Sequence, residues 1–483
     1  MKLFSLLFSA ALYVLSYSPF NYKILIFVSL IIFFKVIEDI SLKNKIRYTF
    51  FYAFLIHAFG VSWVSESLMT YGLMSIVGSI LVTTLFIIII SLPYILIALL
   101  HKPIKKNDIY NINLLAVIFL VVEYIKSLFF GGFPWLLIGN SQNGTIFNFI
   151  YPVFGTFMVS YIVVLMSSLF YKSFQVKHKQ YTLLSIILGS TYLSTYFISN
   201  NEEVKYDNHI SYTIYQPNIY PDKIYDTDEY QYIISQYIKF LDEKSSTDLI
   251  ILPETITPYA LNNNNKLLEK IMMVSNKSNI IIAGFFTKLE RNYFNSMVFF
   301  SDKVDYYHKR KLVPFGEYTP WYDTVIKLSD SLDIPLSNLS HGPDSQKEIF
   351  FNNTKLLPLI CFESTFPNLL KSDIENEIII NISNDGWFGN SLGPYQHLQI
   401  TQIRALEFNR YILRAANTGL SAVINNYGEI VEYIPINKQG RLSGSVPINL
   451  DRSFYSRYGD IFVLMLLFLT LLSKGLIRQK INE

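Results

Sequence analysis

The sequence predicts two architectures in one chain: an α-helical transmembrane bundle of about eight spans, and an α/β domain with a buried sheet. Three observations carry that reading. Hydrophobic residues make up 51% of the 483 residues and charged residues only 16%, with a mean hydropathy of +0.30, too apolar for an ordinary soluble chain. The apolar excess is confined to residues 1–200 and 460–477, while 201–455 has the composition of a globular domain. From His209 onward, short Val/Ile-rich runs alternate with amphipathic helical segments, the pattern of a sheet covered on both faces. The expected domains are therefore 1–200 (seven spans), 201–455 (globular) and 456–483 (a last span and tail). A net charge of +3 gives no case for nucleic acid, and a single cysteine leaves no intrachain disulfide. The seven histidines are scattered without HExxH or paired Cys ligands, so neither a metal nor another cofactor is expected.

The apolar runs lie at about 3–20, 22–39, 48–65, 72–100, 109–130, 149–171 and 181–199, with an eighth at 460–477; each is long enough to span, or nearly span, a bilayer. The first also has a signal-peptide character, but further runs follow at once and no small-x-small cleavage site stands out, so it is read as retained. Lys43, Lys45 and Arg47, then Lys102, Lys105 and Lys106, then Lys172, Lys177 and Lys179, and finally Lys474, Arg478 and Lys480 fall in loops of one parity. The positive-inside rule then places both termini in the cytoplasm and 201–455 on the outer face. Inside the bundle, Glu123 is an intramembrane carboxylate with Lys126 on the same helix face. The following Gly131-Gly132-Phe133-Pro134-Trp135 loop is expected on the outer side. Trp63 and Trp135 have the plainer reading of interfacial anchors.

In the globular part, strands are expected at about 209–216, 248–253, 279–286, 295–310, 356–361, 377–383, 411–417 and 420–426, and helices at about 226–243, 264–277, 364–372 and 397–408. Three strand ends carry reactive groups. Glu254 follows Ile250-Ile251-Leu252-Pro253; Lys309 closes Tyr306-Tyr307-His308, eight residues before Glu317; Cys361 ends Leu356-Leu357-Pro358-Leu359-Ile360. Each has a bland reading: Glu254 a loop acid, Lys309 a solvated cation, Cys361 a small buried hydrophobe. A helix start directly after Cys361 would lower its pKa. Together the three types form a set: the carboxylate takes the thiol proton, the thiolate attacks a carbonyl, and the ammonium stabilises the oxyanion.

Glu254 after a strand, Tyr307-His308-Lys309 ahead of Leu312-Val313-Pro314-Phe315-Gly316-Glu317, and Cys361-Phe362-Glu363 resemble the nitrilase superfamily. The likeness extends to Asn381-Ile382-Ser383-Asn384-Asp385-Gly386-Trp387 and to Arg404-Ala405-Leu406-Glu407 with Arg414 and Asn417. With the multispan N-terminal half and the Gly-Phe-Pro-Trp loop, the sequence most resembles the apolipoprotein N-acyltransferases. That resemblance implies an αββα sandwich, Glu254 as general base, Lys309 as oxyanion stabiliser and Cys361 as nucleophile. It further implies Glu317, Glu363 and Phe362 as supporting residues and Tyr225, Trp135 and Trp387 at the substrate. Tyr225 and Phe362 stand where the family commonly has Trp and Tyr.

The implied reaction moves an acyl chain from a membrane phospholipid, phosphatidylethanolamine being the expected donor, through a Cys thioester to the α-amino group of diacylated apolipoproteins. The enzyme would be a monomer in a bacterial inner membrane with its catalytic domain in the periplasm. Trp321, Val325, Leu328 and Leu332 recur at helical spacing after Glu317, either covering the globular core or lying on the membrane. Two other functions compete. A membrane-tethered amidase would give the acyl group to water, and a transporter or receptor with an outer binding domain would carry ionisable residues along several spans.

Overall fold

The computed structural model describes the chain except for residues 71, 73, 102–108, 129–130, 177–178, 195–207, 221–222, 224–226, 244–246, 262–265, 276–278, 321–337, 371–376, 449–450 and 483. Tyr225 and the Trp321–Leu332 pattern lie outside the described residues. So do Lys102, Lys105, Lys106 and Lys177. The chain forms two compact units, one of Met1–Ser62, Val82–Glu203 and Ser453–Glu483, the other of Trp63–Leu81 and Val204–Arg452.

The first unit is helical: α1 (Lys2–Leu15), α2 (Leu25–Ile37) and α3 (Leu42–Gly60), then, after α4 (Val64–Thr70), α5 (Ile76–Ser91), α6 (Ile95–Leu100), α7 (Ile109–Leu128), α8 (Tyr151–Val176) and α9 (Lys179–Ser194). The short α13 (Phe454–Tyr458) and α14 (Ile461–Asn482) return to it. The expectation of about eight spans is corrected. Among the described residues three helices are long and apolar enough to cross a membrane: Ile76–Leu100, Tyr110–Leu128 and Tyr151–Gln175. A fourth counts if α3 and α4 are taken as one interrupted span. The reason is helix length. At 1.5 Å per residue, α1 and α2, with 14 and 13 residues, reach only about 20 Å, against a hydrocarbon core of roughly 30 Å. Turns around Ser18-Pro19 end the first run early.

Polar groups inside this unit serve its own loop. Lys126 donates to the Trp135 carbonyl at 2.8 Å, and Glu123 accepts from the Ile138 amide at 2.6 Å. Tyr13 and Tyr17 donate to the carbonyls of Leu136 and Leu137 at 3.0 and 2.8 Å. The pair expected from helix spacing thus holds the Gly-Phe-Pro-Trp loop in place, and Trp135 is buried there, stacked on Phe133.

The second unit contains two six-stranded mixed sheets. One has the order β12-β1-β2-β3-β4-β5 and the other β11-β10-β9-β8-β7-β6. The strands are β1 (His209–Gln216), β2 (Leu249–Ile251), β3 (Ile280–Leu289), β4 (Asn292–Phe300), β5 (Val304–His308), β6 (Ile349–Phe351), β7 (Thr354–Ile360), β8 (Glu377–Ser383), β9 (Ile412–Ala416), β10 (Ser421–Ile424), β11 (Ile430–Ile434) and β12 (Gly440–Pro447). Parallel pairings β1·β2, β2·β3, β7·β8 and β8·β9 form the two centres. These are the strands with apolar residues on both faces, as a covered sheet requires.

Side-chain alternation builds the layers. Ile210, Tyr212, Ile214, Ile280 and Ile282 of the first sheet join Ile360, Ile378, Ile380 and Ile382 of the second in one core. Tyr215, Ile250, Ile281 and Ala283 point the other way, into a second core with α10 (Thr227–Asp242) and α11 (Lys266–Val274). On the far side of the second sheet α12 (Gly393–Phe408) is buried along nearly its whole length. The layering is helix, sheet, sheet, helix.

Three local expectations change. The run 295–310 is a hairpin, β4 turning into β5 at Ser301-Asp302-Lys303, because its apolar residues satisfy two antiparallel partners. β6, β11 and β12 were not expected; they are edge strands whose partly exposed residues carry a weak pattern. The helix expected at 364–372 is two short 3₁₀ turns, Cys361–Thr365 and Pro367–Leu370.

Candidate active site

Glu254, Lys309 and Cys361 each follow a strand end, and pairing of those strands gathers them. Glu254 follows β2, where Gly284 N donates to Pro253 O and Ile256 N to Gly284 O, both at 3.0 Å. This approach is close enough that a Cβ on Gly284 would come within 2.5 Å of Glu254 Cα. Glycine is required there because backbone lies against backbone. Lys309 follows β5, held by its amide on Asn295 O at 2.8 Å.

Lys309 Nζ lies 2.8 Å from Glu317 Oε1 and 3.3 Å from Glu254 Oε1, all three groups buried or nearly so. Asn295 Nδ2 donates to Glu254 Oε1 at 2.7 Å and to Glu317 Oε1 at 2.8 Å. The remaining oxygens are held by backbone: Asn384 N donates to Glu254 Oε2 and Val313 N to Glu317 Oε2, both at 2.8 Å. Burial pulls the Lys309 pKa down, but Glu254, Glu317 and Cys361 outweigh it and hold the group above its ordinary value. The ammonium is therefore kept charged in a buried place.

Cys361 is buried and has φ +50°, the left-handed region that costs a non-glycine residue roughly 1–2 kcal/mol. Glu363 braces this turn. Its carboxylate accepts from Ile360 N at 2.9 Å, Arg310 N at 2.7 Å, Lys311 N at 3.1 Å and Tyr307 Oη at 3.0 Å. It therefore ties the residues after Lys309 to the residue before Cys361. Phe362 is half-buried with its ring edge on Phe366.

The helix-start expectation for the thiol is overturned. Burial pushes Cys361 up to about 12, the Glu254 and Asp385 carboxylates add to this, and Lys309 and a hydrogen bond from Ser383 only partly oppose it. The resting group is the thiol, so attack needs a base. We expect alkylation of Cys361 by iodoacetamide to accelerate about tenfold per pH unit from pH 7 to 10, as thiolate alone reacts. A plateau at or below pH 9 contradicts that environment.

A second cluster lies behind the thiol, and the sequence offered no role for it. Asp385 accepts from Ser383 Oγ and Arg414 Nη2 at 2.7 Å each, and His397 Nδ1 stands 3.0 Å from its Oδ1. His397 Nε2 meets Cys361 O at 3.1 Å and Ser364 Oγ at 3.0 Å. Burial raises the Asp385 pKa, but Arg414 and then His397 overcome this and hold the carboxyl well below the usual range. Burial and Arg414 hold His397 low. The only signal in the sequence was that Ser383, Asp385 and Arg414 sit in family-like stretches. The Cys361 sulfur, an Asp385 oxygen and a His397 nitrogen lie within 4.8 Å of one another, the one group of three metal-type ligands among the described residues. The Arg414 guanidinium already fills the cation's place against Asp385, so the set does not fit a metal.

Trp387 is half-buried on the 3₁₀ turn Asp385–Phe388. This turn is gripped by α4 and the residue before it: Ser67 Oγ donates to Trp387 O at 2.6 Å, and Trp63 sets its ring edge on Phe388, centroids 4.7 Å apart. Trp63 Nε1 also donates to Gln396 Oε1 at 3.3 Å. Trp63 is thus a packing residue of the α/β unit.

Comparison with known proteins covers nearly the whole chain. The Apolipoprotein N-acyltransferase N-terminal domain matches residues 9–169, and the Carbon-nitrogen hydrolase domain matches residues 213–450. An apolipoprotein N-acyltransferase of Pasteurella multocida is 28% identical over 99% of this chain and 96% of its own. That of Haemophilus influenzae is 29% identical over 98% and 95%, and that of Pseudomonas aeruginosa 29% identical over 91% and 88%.

Proposed function

Because the chain belongs to the apolipoprotein N-acyltransferases, whose two domains its halves match in order, we propose that it transfers an acyl chain from a membrane phospholipid to the N-terminal amine of diacylated apolipoproteins through a thioester on Cys361. The observation that carries the chemistry is one buried ammonium, Lys309, fixed between two carboxylates beside a protonated thiol.

The first half-reaction starts with Glu254 taking the thiol proton as Cys361 Sγ bonds to the ester carbonyl carbon. Charge on the carbonyl oxygen meets Lys309, two of whose N–H bonds point at Glu254 and Glu317, leaving the third for the oxyanion. Collapse breaks the ester C–O bond, and Glu254 returns the proton to the glycerol oxygen. A lysophospholipid leaves and the thioester remains. In the second half, the free α-amine attacks the thioester carbon and gives its proton to Glu254, which passes it to the departing sulfur. The sum is ester plus amine to amide plus alcohol. Glu317 and Asn295 fix Lys309, and Glu363 fixes the turn of the nucleophile. Trp387, Trp135, Phe362 and Tyr225 are proposed to meet the lipid chains. The proposed setting is the bacterial inner membrane, with the α/β unit outside and both termini in the cytoplasm, acting as a monomer. Phosphatidylethanolamine is the proposed donor.

Mass spectrometry of the purified enzyme incubated with phosphatidylethanolamine tests this. An acyl mass on the Cys361 peptide, discharged onto the amine of an added diacylated lipopeptide, is expected. Loss of that mass at the same rate without lipopeptide identifies a hydrolase instead. No adduct at all removes Cys361 from the chemistry.

A further inference from the structure

The reaction just derived leaves unused a cluster of four buried polar residues behind the thiol. Asp385, His397, Arg414 and Ser383 are each no more than 1% exposed, and they face away from the core between the sheets. Strand alternation puts Asn381, Ser383 and Arg414 on the outward side of β8 and β9, under α12, which supplies His397. From there the imidazole reaches back to the nucleophile's own turn. Nε2 has two partners, the Cys361 carbonyl at 3.1 Å and the Ser364 hydroxyl at 3.0 Å. A hydrogen on Nε2 is donated to the carbonyl; with the hydrogen on Nδ1, Nε2 accepts from the hydroxyl. Either bond ends on the same turn, between the reactive residue and the one three positions on.

We propose that His397 is a positioning residue: oriented by Asp385 and Arg414, it clamps the Cys361–Ser364 turn and so fixes where the sulfur points. The proposal rests on Cys361 being the nucleophile.

Two observations give the clamp direction. The first is the backbone of Cys361, whose φ of +50° persists only where surroundings over-determine it. Glu363 holds this turn from the Lys309 side through Ile360, Arg310 and Lys311. His397 holds it from the opposite side, so the turn is gripped at both ends. The second is how the imidazole is itself fixed. Asp385 Oδ1 faces Nδ1 at 3.0 Å, and Asp385 is anchored by Arg414 at 2.7 Å, which also bonds Asn381 and donates to Leu420 O at 3.2 Å. The ring of Phe388 closes the remaining side, its centroid 5.9 Å from that of His397 and 4.7 Å from that of Trp63. A ring held on its nitrogens and its edge has one orientation, the condition for placing a reacting atom to a fraction of an ångström.

The test uses the full-length enzyme in lipid nanodiscs, with thioester formation on Cys361 from phosphatidylethanolamine followed under single-turnover conditions. His397→Ala is expected to slow the maximal rate of thioester formation by about 100-fold, the penalty for small misplacement of a reacting group, with the lipid concentration for half-maximal rate unchanged. His397→Gln, whose amide can reach the same carbonyl or hydroxyl, is expected to recover at least about tenfold of that loss. A lowered melting temperature with an unchanged rate per folded molecule, or a loss confined to lipid affinity, overturns the proposal. Ser364→Ala is the second arm should the His397 variants not accumulate. It removes the hydroxyl partner of Nε2 and is expected to slow the same step about fivefold; an unchanged rate there also overturns it. Absence of any thioester on the wild-type Cys361 overturns the underlying chemistry instead, and the clamp with it.

Discussion

Cys361→Ala is expected to lower acyl transfer to a diacylated lipopeptide by at least about 10⁴-fold, because the nucleophile and its covalent intermediate are both lost. The same variant should leave the melting temperature within a few degrees of wild type. The residue removed is small, sits protonated and contributes one sulfur to the core between the sheets. Its thiol pKa of about 12 also means that alanine removes no charge at neutral pH. The comparison is made by mass spectrometry of the lipopeptide amine alongside thermal unfolding in the same nanodiscs. A variant that folds and still transfers at a rate close to wild type would falsify the thioester route, whatever the geometry around the sulfur.

Lys309→Met is expected to damage both activity and fold. Glu254 and Glu317 lie 3.3 and 2.8 Å from Nζ, and the lysine side chain is 1% exposed. Removing the cation leaves two buried carboxylates facing each other, a situation that costs about 3–5 kcal/mol. Loss of the oxyanion donor costs a further factor of about 10²–10³ in the rate of thioester formation. The pH dependence has a defined sign. The folded-state pKa of Lys309 is raised, so the stability it contributes is fully present below its unfolded value, about 10.4, and fades only as pH rises through the higher folded value. The stability gap between wild type and variant should therefore stay constant from pH 7 to about 10. Urea unfolding followed by tryptophan fluorescence across that range checks it. A gap that closes between pH 7 and 9 contradicts the pairing.

The stability of the opposite face has the reverse sign. Asp385 is held below the usual carboxylate range by Arg414 and His397 against its own burial. Its contribution is present above its unfolded value, about 3.9, and is lost only as pH falls through the lower folded value.

Much of the α/β unit was legible because parallel central strands advertise themselves. Ile378, Ile380 and Ile382 of β8 and Ile280 through Ala283 of β3 are buried apolar positions, and β8 covers the segment expected. The edges were not legible. β11 has four exposed residues in five and β12 alternates only weakly, since an edge strand need bury little to be held. The membrane half misled in the other direction. An apolar run shows that a segment avoids water, but a turn around Ser18-Pro19 or a break after Gly60 decides whether it becomes one long helix or short ones.

For the site, composition and spacing were enough to name Glu254, Lys309 and Cys361 as candidates, because each stands directly after a strand and each residue type has a distinct chemical use. Glu317 and Glu363 came with the same stretches. The sequence by itself therefore determined the chemical vocabulary: a thiol, a base and a cation at strand ends in a chain half of which shuns water. Only the tertiary structure decided their states. Asn295 stands 41 residues from Glu254 and His397 stands 36 from Cys361, and nothing in the local pattern of either marks it as part of a site. They matter because strand pairing brings distant polar atoms to about 3 Å from one another in a buried place. Desolvation and point charges act through space, so the protonated thiol and the charged lysine follow from the assembled environment and not from the stretch in which either residue is written.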